Sequence, residues 1–280
     1  MELFKNIRAI DLGLLIDDAL IISDVHIGFE EALNKQGMLV PRDHFPQLIK
    51  RMEGIFSQVQ GIVGNKTKNN KREINEQKNN KRNGNEQENN EAENKNNNTP
   101  KKLKKIIING DLKHEFGRIS EQEWRHTLKF LDFLGKQCEK VILVKGNHDT
   151  ILGPIAEKRN LEVHDYVQMR DGDVLICHGD KLPPEEPLKK AKLIVIGHEH
   201  PSVALRQGPR MEKYKCFFVG SYRKKKLIVL PSLNLLTEGS ALMHDDMLSP
   251  FLRQKLGNFD VFIVEDKMYA FGKLGKLPLK

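Results

Sequence analysis

Short apolar runs that stop at polar tips organise this chain. Ala19-Leu20-Ile21-Ile22 leads into Ser23-Asp24-Val25-His26-Ile27-Gly28, where an aspartate and a histidine two positions apart precede a glycine that lets the chain turn. Four further runs have the same build. Residues 105–109 end in Gly110-Asp111, residues 141–144 lead to Gly146-Asn147-His148-Asp149, residues 174–177 deliver His178-Gly179-Asp180, and residues 193–196 deliver Gly197-His198-Glu199-His200. Each run has the length and content of a buried strand. Residues two apart on a strand point the same way, so Asp24 and His26 are expected to converge on one cation if the strand persists through them.

The segments between these runs read as helices and turns. Residues 3–17 suggest two short strands around Asp11-Leu12-Gly13, and residues 29–40 a short helix and loop before Pro41. Phe45, Leu48, Ile49, Met52, Phe56 and Val59 mark the apolar face of a helix that Gly61 and Gly64 are expected to end. Ser120 with Glu123 forms a capping box for a helix carrying Trp124, Leu128, Leu131 and Leu134, closed at Gly135. A short helix is expected over residues 154–158. Beyond Leu161 the pattern turns to strands, with a hairpin at Asp171-Gly172 and β segments at 214–220, 227–230, 260–264 and 268–271. The mixture predicts an α/β fold, a two-sheet β-sandwich flanked by helices, in one domain over residues 1–280. Sites in open α/β sheets lie at the carboxyl ends of strands, so the polar tips are expected to form one site.

Composition changes the picture at one place. The chain has 280 residues and a formal net charge of +8, of which residues 65–105 supply +6 through twelve Lys and Arg against six Asp and Glu. A basic balance that would otherwise point to nucleic acid or an anionic surface therefore largely reports one segment. Residues 65–100 hold fourteen Asn, almost no apolar side chain and an echo in which Lys71-Arg72-Glu73-Ile74-Asn75-Glu76-Gln77 is followed by Lys81-Arg82-Asn83-Gly84-Asn85-Glu86-Gln87. Such a stretch cannot offset its ordering entropy, so a disordered insertion at about residues 65–104 is expected in a surface loop. Cys138, Cys177 and Cys216 are too scattered for a disulfide framework or a thiolate zinc site and read as small buried groups. The first residues show no signal-peptide pattern and no window reaches the ~18 apolar residues of a membrane span. A soluble cytoplasmic protein with no membrane partner is the expectation.

Set in order, the tips spell D-x-H at Asp24 and His26, G-D-x-x-H from Gly110 to His114, G-N-H-D from Gly146 to Asp149, H-G at His178, and G-H-x-H at His198 and His200. This ordered set resembles the calcineurin-like metallophosphoesterase superfamily over roughly residues 21–201. The resemblance implies a two-metal phosphoesterase site. It implies a first metal on Asp24, His26, Asp111 and His200, and a second on Asp111, Asn147, His178 and His198, with Asp111 as the bridge. His148 would bind no metal and would stabilise transition-state charge or protonate the leaving oxygen, its ring oriented by Asp149. The motif at Asp111 departs from the commonest form, which has an acidic residue where His114 stands. His44, His126, His164 and His244 lack this context and read as surface or core histidines. A narrower resemblance rests on Gly28-x-Glu30, Gly37, Pro41, Leu230-Pro231-Ser232-Leu233-Asn234, Thr237 and Gly239. It is to a branch of small phosphoesterases associated with DNA ligase or helicase genes, regarded as DNA endonucleases or phosphodiesterases, and it implies a DNA-repair helicase or ligase as partner.

Elementary chemistry supports the broader assignment. Carboxylate, amide and imidazole donors suit manganese, iron, zinc, cobalt or nickel, and two divalent ions, manganese first among them, are the expected cofactors. Two cations ~3.5–4 Å apart share a carboxylate, bring the pKa of a bound water toward ~7 and clamp a phosphoryl oxygen. The expected activity is phosphodiester hydrolysis by a metal-activated hydroxide, on nucleic acid as a DNA endonuclease or phosphodiesterase. Two other readings stay open: an enzyme for a small nucleotide or phosphoprotein, and a dead scaffold, which is expected to lose ligands where none is missing here. A positive groove outside the insertion favours DNA, and a closed pocket favours a small substrate.

Overall fold

In a computed structural model, residues 1–81, 102–117, 119–150, 153–159, 161–207, 210–241 and 247–277 are described. Strands β1 (Glu2–Phe4), β2 (Ile7–Ile10), β3 (Gly13–Ile16) and β4 (Ala19–Ile22) form an antiparallel meander. Strands β5 (Leu103–Asn109), β6 (Cys138–Val144) and β7 (Glu162–His164) then add in parallel, completing a seven-stranded sheet in chain order. Parallel neighbours need crossovers, and helices supply them. Between β4 and β5 lie α1 (Phe29–Lys35) and α2 (His44–Lys81), between β5 and β6 lies α3 (Glu121–Gln137), and α4 (Gly153–Arg159) precedes β7. Ile22 pairs with Ile108 and Ile108 with Leu143, so the tips after β4, β5 and β6 leave the sheet at one edge.

The second sheet contains β8 (Tyr166–Met169), β9 (Val174–Cys177), β10 (Leu193–Ile196), β11 (Pro201–Gln207), β12 (Arg210–Tyr222), β13 (Lys225–Val229), β14 (Ser240–Ala241), β15 (Asp260–Val264) and β16 (Met268–Lys273). Its path is β14-β11-β12-β13-β10-β9-β8, with β15 on β12 and β16 on β15. Strands β9, β10 and β13 are mutually parallel, with α5 (Glu185–Lys190) crossing from β9 to β10.

Side chains alternate along each strand, and the second sheet uses both faces. Val174, Ile176, Val195, Phe217 and Ile228 join Ile22, Ile107 and Leu143 of the first sheet, together with Leu48, Met52, Phe130 and Leu134 of α2 and α3, in one buried cluster. Their neighbours Leu175, Cys177, Ile194, Phe218, Leu227 and Val229 turn the other way, onto Leu188 of α5 and onto Phe251, Leu252 and Phe259. Strands buried on both faces read as unbroken apolar runs. The result is the expected pair of mixed sheets flanked by helices.

Several details differ from expectation. Helix α2 continues past Gly61 and Gly64 to Lys81, because a glycine costs a helix only about 1 kcal/mol and Lys, Arg, Gln and Glu around it are good helix formers. The first part of the expected insertion, residues 65–81, is therefore helical, and residues 82–101 lie outside the described residues. Helix α3 likewise passes Gly135 to end at Gln137. Its capping box is half formed: Ser120 Oγ accepts from the Glu123 N–H at 3.0 Å, while the Glu123 carboxylate serves His114 and Glu115 instead. The helix α5 interrupts the run of strands expected beyond Leu161. No described helix is long and apolar enough to cross a membrane.

Candidate metal centre

The strand β4 ends at Ile22, and the chain then enters left-handed conformations at Asp24 (φ 54°) and His26 (φ 47°). These two side chains converge through a twisted turn, not through the strand alternation expected from their spacing. Asp111, His198 and His200 also have positive φ, at 48°, 67° and 48°. Each such non-glycine residue costs roughly 1–2 kcal/mol, so neighbours must over-determine it. They do so here through the main chain: the N–H groups of Asp24 and His26 donate to the carbonyls of Gly110 and Asp111 at 3.2 and 2.9 Å. The glycines beside the site allow close approach. A Cβ on Gly146 would stand 2.1 Å from Asp111 Oδ1, and one on Gly110 would stand 2.0 Å from His178 Nδ1.

All seven predicted ligands meet at this edge of the two sheets. Asp24, His26 and His200 form one group and Asp111, His178 and His198 a second, the donor atoms of each lying within 4.8 Å of one another. His26 Nε2 is 3.2 Å from His200 Nε2, which is 3.4 Å from Asp24 Oδ1. In the second group His178 Nε2 lies 3.3 Å from Asp111 Oδ2 and 3.1 Å from Asn147 Oδ1. Asp111 Oδ2 is also 3.7 Å from His26 Nε2, so one carboxylate faces both groups, as a bridge must.

A family model for calcineurin-like phosphoesterases matches residues 19–217, the span that carries all of these donors. The chain belongs to the calcineurin-like phosphoesterases. Among solved structures it is similar in fold to the nuclease MPE of Pseudomonas putida, with a TM-score of 0.51 and 15% identity, covering 94% of this chain and 93% of that one. A single mutant of Vps29 from Entamoeba histolytica gives a TM-score of 0.28 at 14% identity, covering 61% of this chain and 84% of that one. No curated protein matches the chain.

The electrostatics of this phosphoesterase site suit a pair of cations. Burial pushes the Asp24 carboxyl up, but His200, His178 and His26 outweigh it and hold the group below the usual range. Asp111 is likewise lowered, burial being outweighed by its hydrogen bond to His178. Burial, and then the neighbouring His200, push His26 down to about 3, so its imidazole is neutral with a lone pair to give. Burial also acts to lower His178, yet the Asp111 hydrogen bond and the charge of Asp24 bring it up to about 9. A proton on His178 thus stands where a cation would balance the two carboxylates. The His178 Nδ1 lies 3.3 Å from the Asn109 carbonyl, which can only accept, so Nδ1 keeps its proton and the proton a cation would displace is the one on Nε2, whose lone pair is then free on the Asp111 side. Converging carboxylate, imidazole and amide donors fit two borderline divalent ions.

His148 stands over this cluster without joining either group of ligands, its Nε2 4.0 Å from Asp111 Oδ2. Its Nδ1 donates to the His114 carbonyl, which fixes the tautomer and leaves Nε2 facing the site. The role expected for Asp149 is corrected. Its carboxylate accepts from the N–H groups of Leu112 at 3.1 Å and Gly146 at 3.0 Å, and so ties the two ligand loops together instead of orienting the His148 ring. Burial, then the charge of Asp111, push that carboxyl up to about 6. His114, unassigned from its motif, acts on His148 through its carbonyl, and its ring nitrogens lie near those of His26 and His148.

Two contributors stand behind Asp24, Ser23 with no signal in the sequence and Ser232 known there only from the narrower resemblance. Ser23 Oγ lies 2.7 Å from Asp24 Oδ2, and Ser232 Oγ donates to the Asp24 carbonyl at 2.8 Å. The remaining described histidines stay out of the site: His44 is buried, His126 stacks on Phe45, and exposed His164 meets Glu162. His244 lies outside the described residues.

Proposed function

We propose that this calcineurin-like phosphoesterase hydrolyses phosphodiesters with two divalent ions, manganese first among the candidates, and that nucleic acid is its substrate class. The observation that carries the reading is Asp111, one buried carboxylate facing two donor groups. Asp24, His26, Asp111 and His200 would hold one ion and Asp111, Asn147, His178 and His198 the other. Bound there, such a pair acidifies water toward neutrality and neutralises charge on phosphoryl oxygens. The chain's own contribution is positional. His148, with Nδ1 committed to the His114 carbonyl, offers Nε2 on the substrate side, where it carries a proton to the leaving oxygen or stabilises the developing charge.

Nucleic acid is favoured by the shape of the site and by the likeness to a protein described as a nuclease. Asn147, His148, His198 and His200 are half-buried, so the centre opens at the surface, where an ester flanked by polymer on both sides has access. A DNA-repair helicase or ligase as partner, and a cytoplasmic setting, belong to the same proposal. The test is a panel on manganese-reconstituted protein: single- and double-stranded DNA, bis-nitrophenyl phosphate, a mononucleotide and a phosphopeptide, with Asp111→Asn as the inactive control. Cleavage of the monoesters in preference to every diester would replace this reading by that of a phosphatase.

A further inference from the structure

Lys113 has no exposed surface, although an ammonium is among the groups least often buried. It lies two residues beyond Asp111, in the loop that faces His148. Its Nζ donates to the His148 carbonyl at 2.5 Å and to the Glu115 carbonyl. The carboxylates of Glu123, Asp149, Asp111 and Glu115 act on its charge from around it. A buried cation is a costly way to fill space, since an apolar side chain of like volume stabilises as well or better. What the cation does that a hydrocarbon cannot is hold carbonyl groups.

The carbonyl it holds belongs to the residue that stands over the site. His148 is gripped at three points by one loop: its N–H donates to Asp111 Oδ1 at 2.9 Å, its ring Nδ1 donates to the His114 carbonyl, and its own carbonyl accepts from Lys113. The Asp149 carboxylate closes the frame by accepting from the N–H groups of Leu112 and Gly146. Removal of the Lys113 grip would free the His148 carbonyl and let the ring Nε2 shift, while no metal-holding side chain loses a hydrogen bond of its own.

We propose that Lys113 is a positioning residue, which fixes His148 through its main-chain carbonyl and so sets the proton or charge that His148 presents to the ester. This rests on the role of His148 given above. The test is a double-mutant cycle on full-length, manganese-loaded protein using Lys113→Met, which keeps a stem of similar volume and removes the ammonium, and His148→Ala. Metal content, Tm, kcat and KM are read on a dinucleotide diester and on bis-nitrophenyl phosphate. Lys113→Met should keep both ions and a KM within about twofold, lose about 10–100-fold in kcat on the dinucleotide, and cause no further loss when His148 is already alanine. Lys113→Arg, which keeps a cationic donor, should recover part of that kcat. If Lys113→Met does not fold, Lys113→Gln takes its place in the same cycle. Losses that simply add in the double variant, loss of metal, or an unchanged kcat would overturn the proposal. Unchanged turnover in His148→Ala alone would sink the reading of His148, and Lys113 with it, which keeps the two failures distinguishable.

Discussion

At the scale of single residues, the site is assembled from conformations that side chains ordinarily avoid. Asp24, His26, Asp111, His198 and His200 all have positive φ, which turns donors inward that an extended chain would send to opposite faces. His148 is the residue whose removal should cost activity without costing metal. His148→Ala is expected to keep both ions and lose on the order of 10²–10⁴ in turnover. A nitrophenolate leaves without a proton and a nucleotide oxygen does not, so a general acid predicts the larger defect on DNA, and equal defects on DNA and bis-nitrophenyl phosphate point to charge stabilisation. A second expectation concerns pH. His178 is brought up to about 9 in the metal-free protein, so below that value a cation must displace its proton. Affinity for Mn should therefore rise with pH through the range 6.5–9, by up to about tenfold per unit, and level off above it. His26, already neutral above about 3, adds nothing there. Metal titrations at a series of pH values measure this, and a flat profile would remove His178 from the ligand set.

At the scale of elements, the segment after β13 explains motif residues that have no place among the ligands. Residues 230–234 leave the second sheet, where the Leu230 N–H still donates to the Ile196 carbonyl of β10 at 2.8 Å, and reach the tip of β4, where Leu233 donates to the Ser23 carbonyl at 2.9 Å and Asn234 to that of Asp24 at 3.1 Å. Lys215 of β12 holds this segment from behind by donating to the Ser232 carbonyl at 2.8 Å and to that of Asn234. His44 accepts from the Leu235 N–H at 3.2 Å and donates its own N–H to Glu30 Oε2 at 3.0 Å, which ties in α1. Gly239, at φ 88°, sits where a Cβ would meet the His200 carbonyl at 2.4 Å. Of the residues that carried the narrower resemblance, Glu30, Leu230, Ser232, Leu233, Asn234 and Gly239 are thus braces for the strained turns of the site. Ser232→Ala removes one hydrogen bond to the Asp24 carbonyl. It should cost about 1 kcal/mol, roughly 2–4 °C in Tm, and weaken metal binding. Calorimetry with a metal titration would show it, and wild-type values in both would mean that Asp24 is held without this segment.

At the scale of the whole molecule, the buried cluster shared by the two sheets and α2 reaches Val59 among the described residues of α2, with Ile62 and Val63 packed at its margin, and residues 67–100 hold almost no apolar residue. Replacing residues 67–100 with a short flexible linker should therefore leave Tm and turnover on bis-nitrophenyl phosphate nearly unchanged, which tests the single domain with an insertion expected over residues 1–280. A fall of several degrees would show that the far end of α2 is part of the folded core. How much of this was legible in the sequence follows from the range of each interaction. Apolar runs at β4, β5, β6, β9 and β10 declared themselves because strands buried on both faces need unbroken hydrophobic stretches, and their tips carry the seven side chains that meet at the site, of types that metal chemistry favours. The helices α2 and α3 pass the glycines expected to end them because a glycine only biases a helix locally, at a cost that good helix formers on either side offset. Three matters were left to the tertiary structure: the left-handed turns, the use of Asp149 as a tie between loops, and the burial of Lys113 against His148. Each depends on a main-chain group many residues away, and a main-chain N–H or carbonyl is the same in every residue, so no pattern of side chains along the chain announces which one a donor will meet.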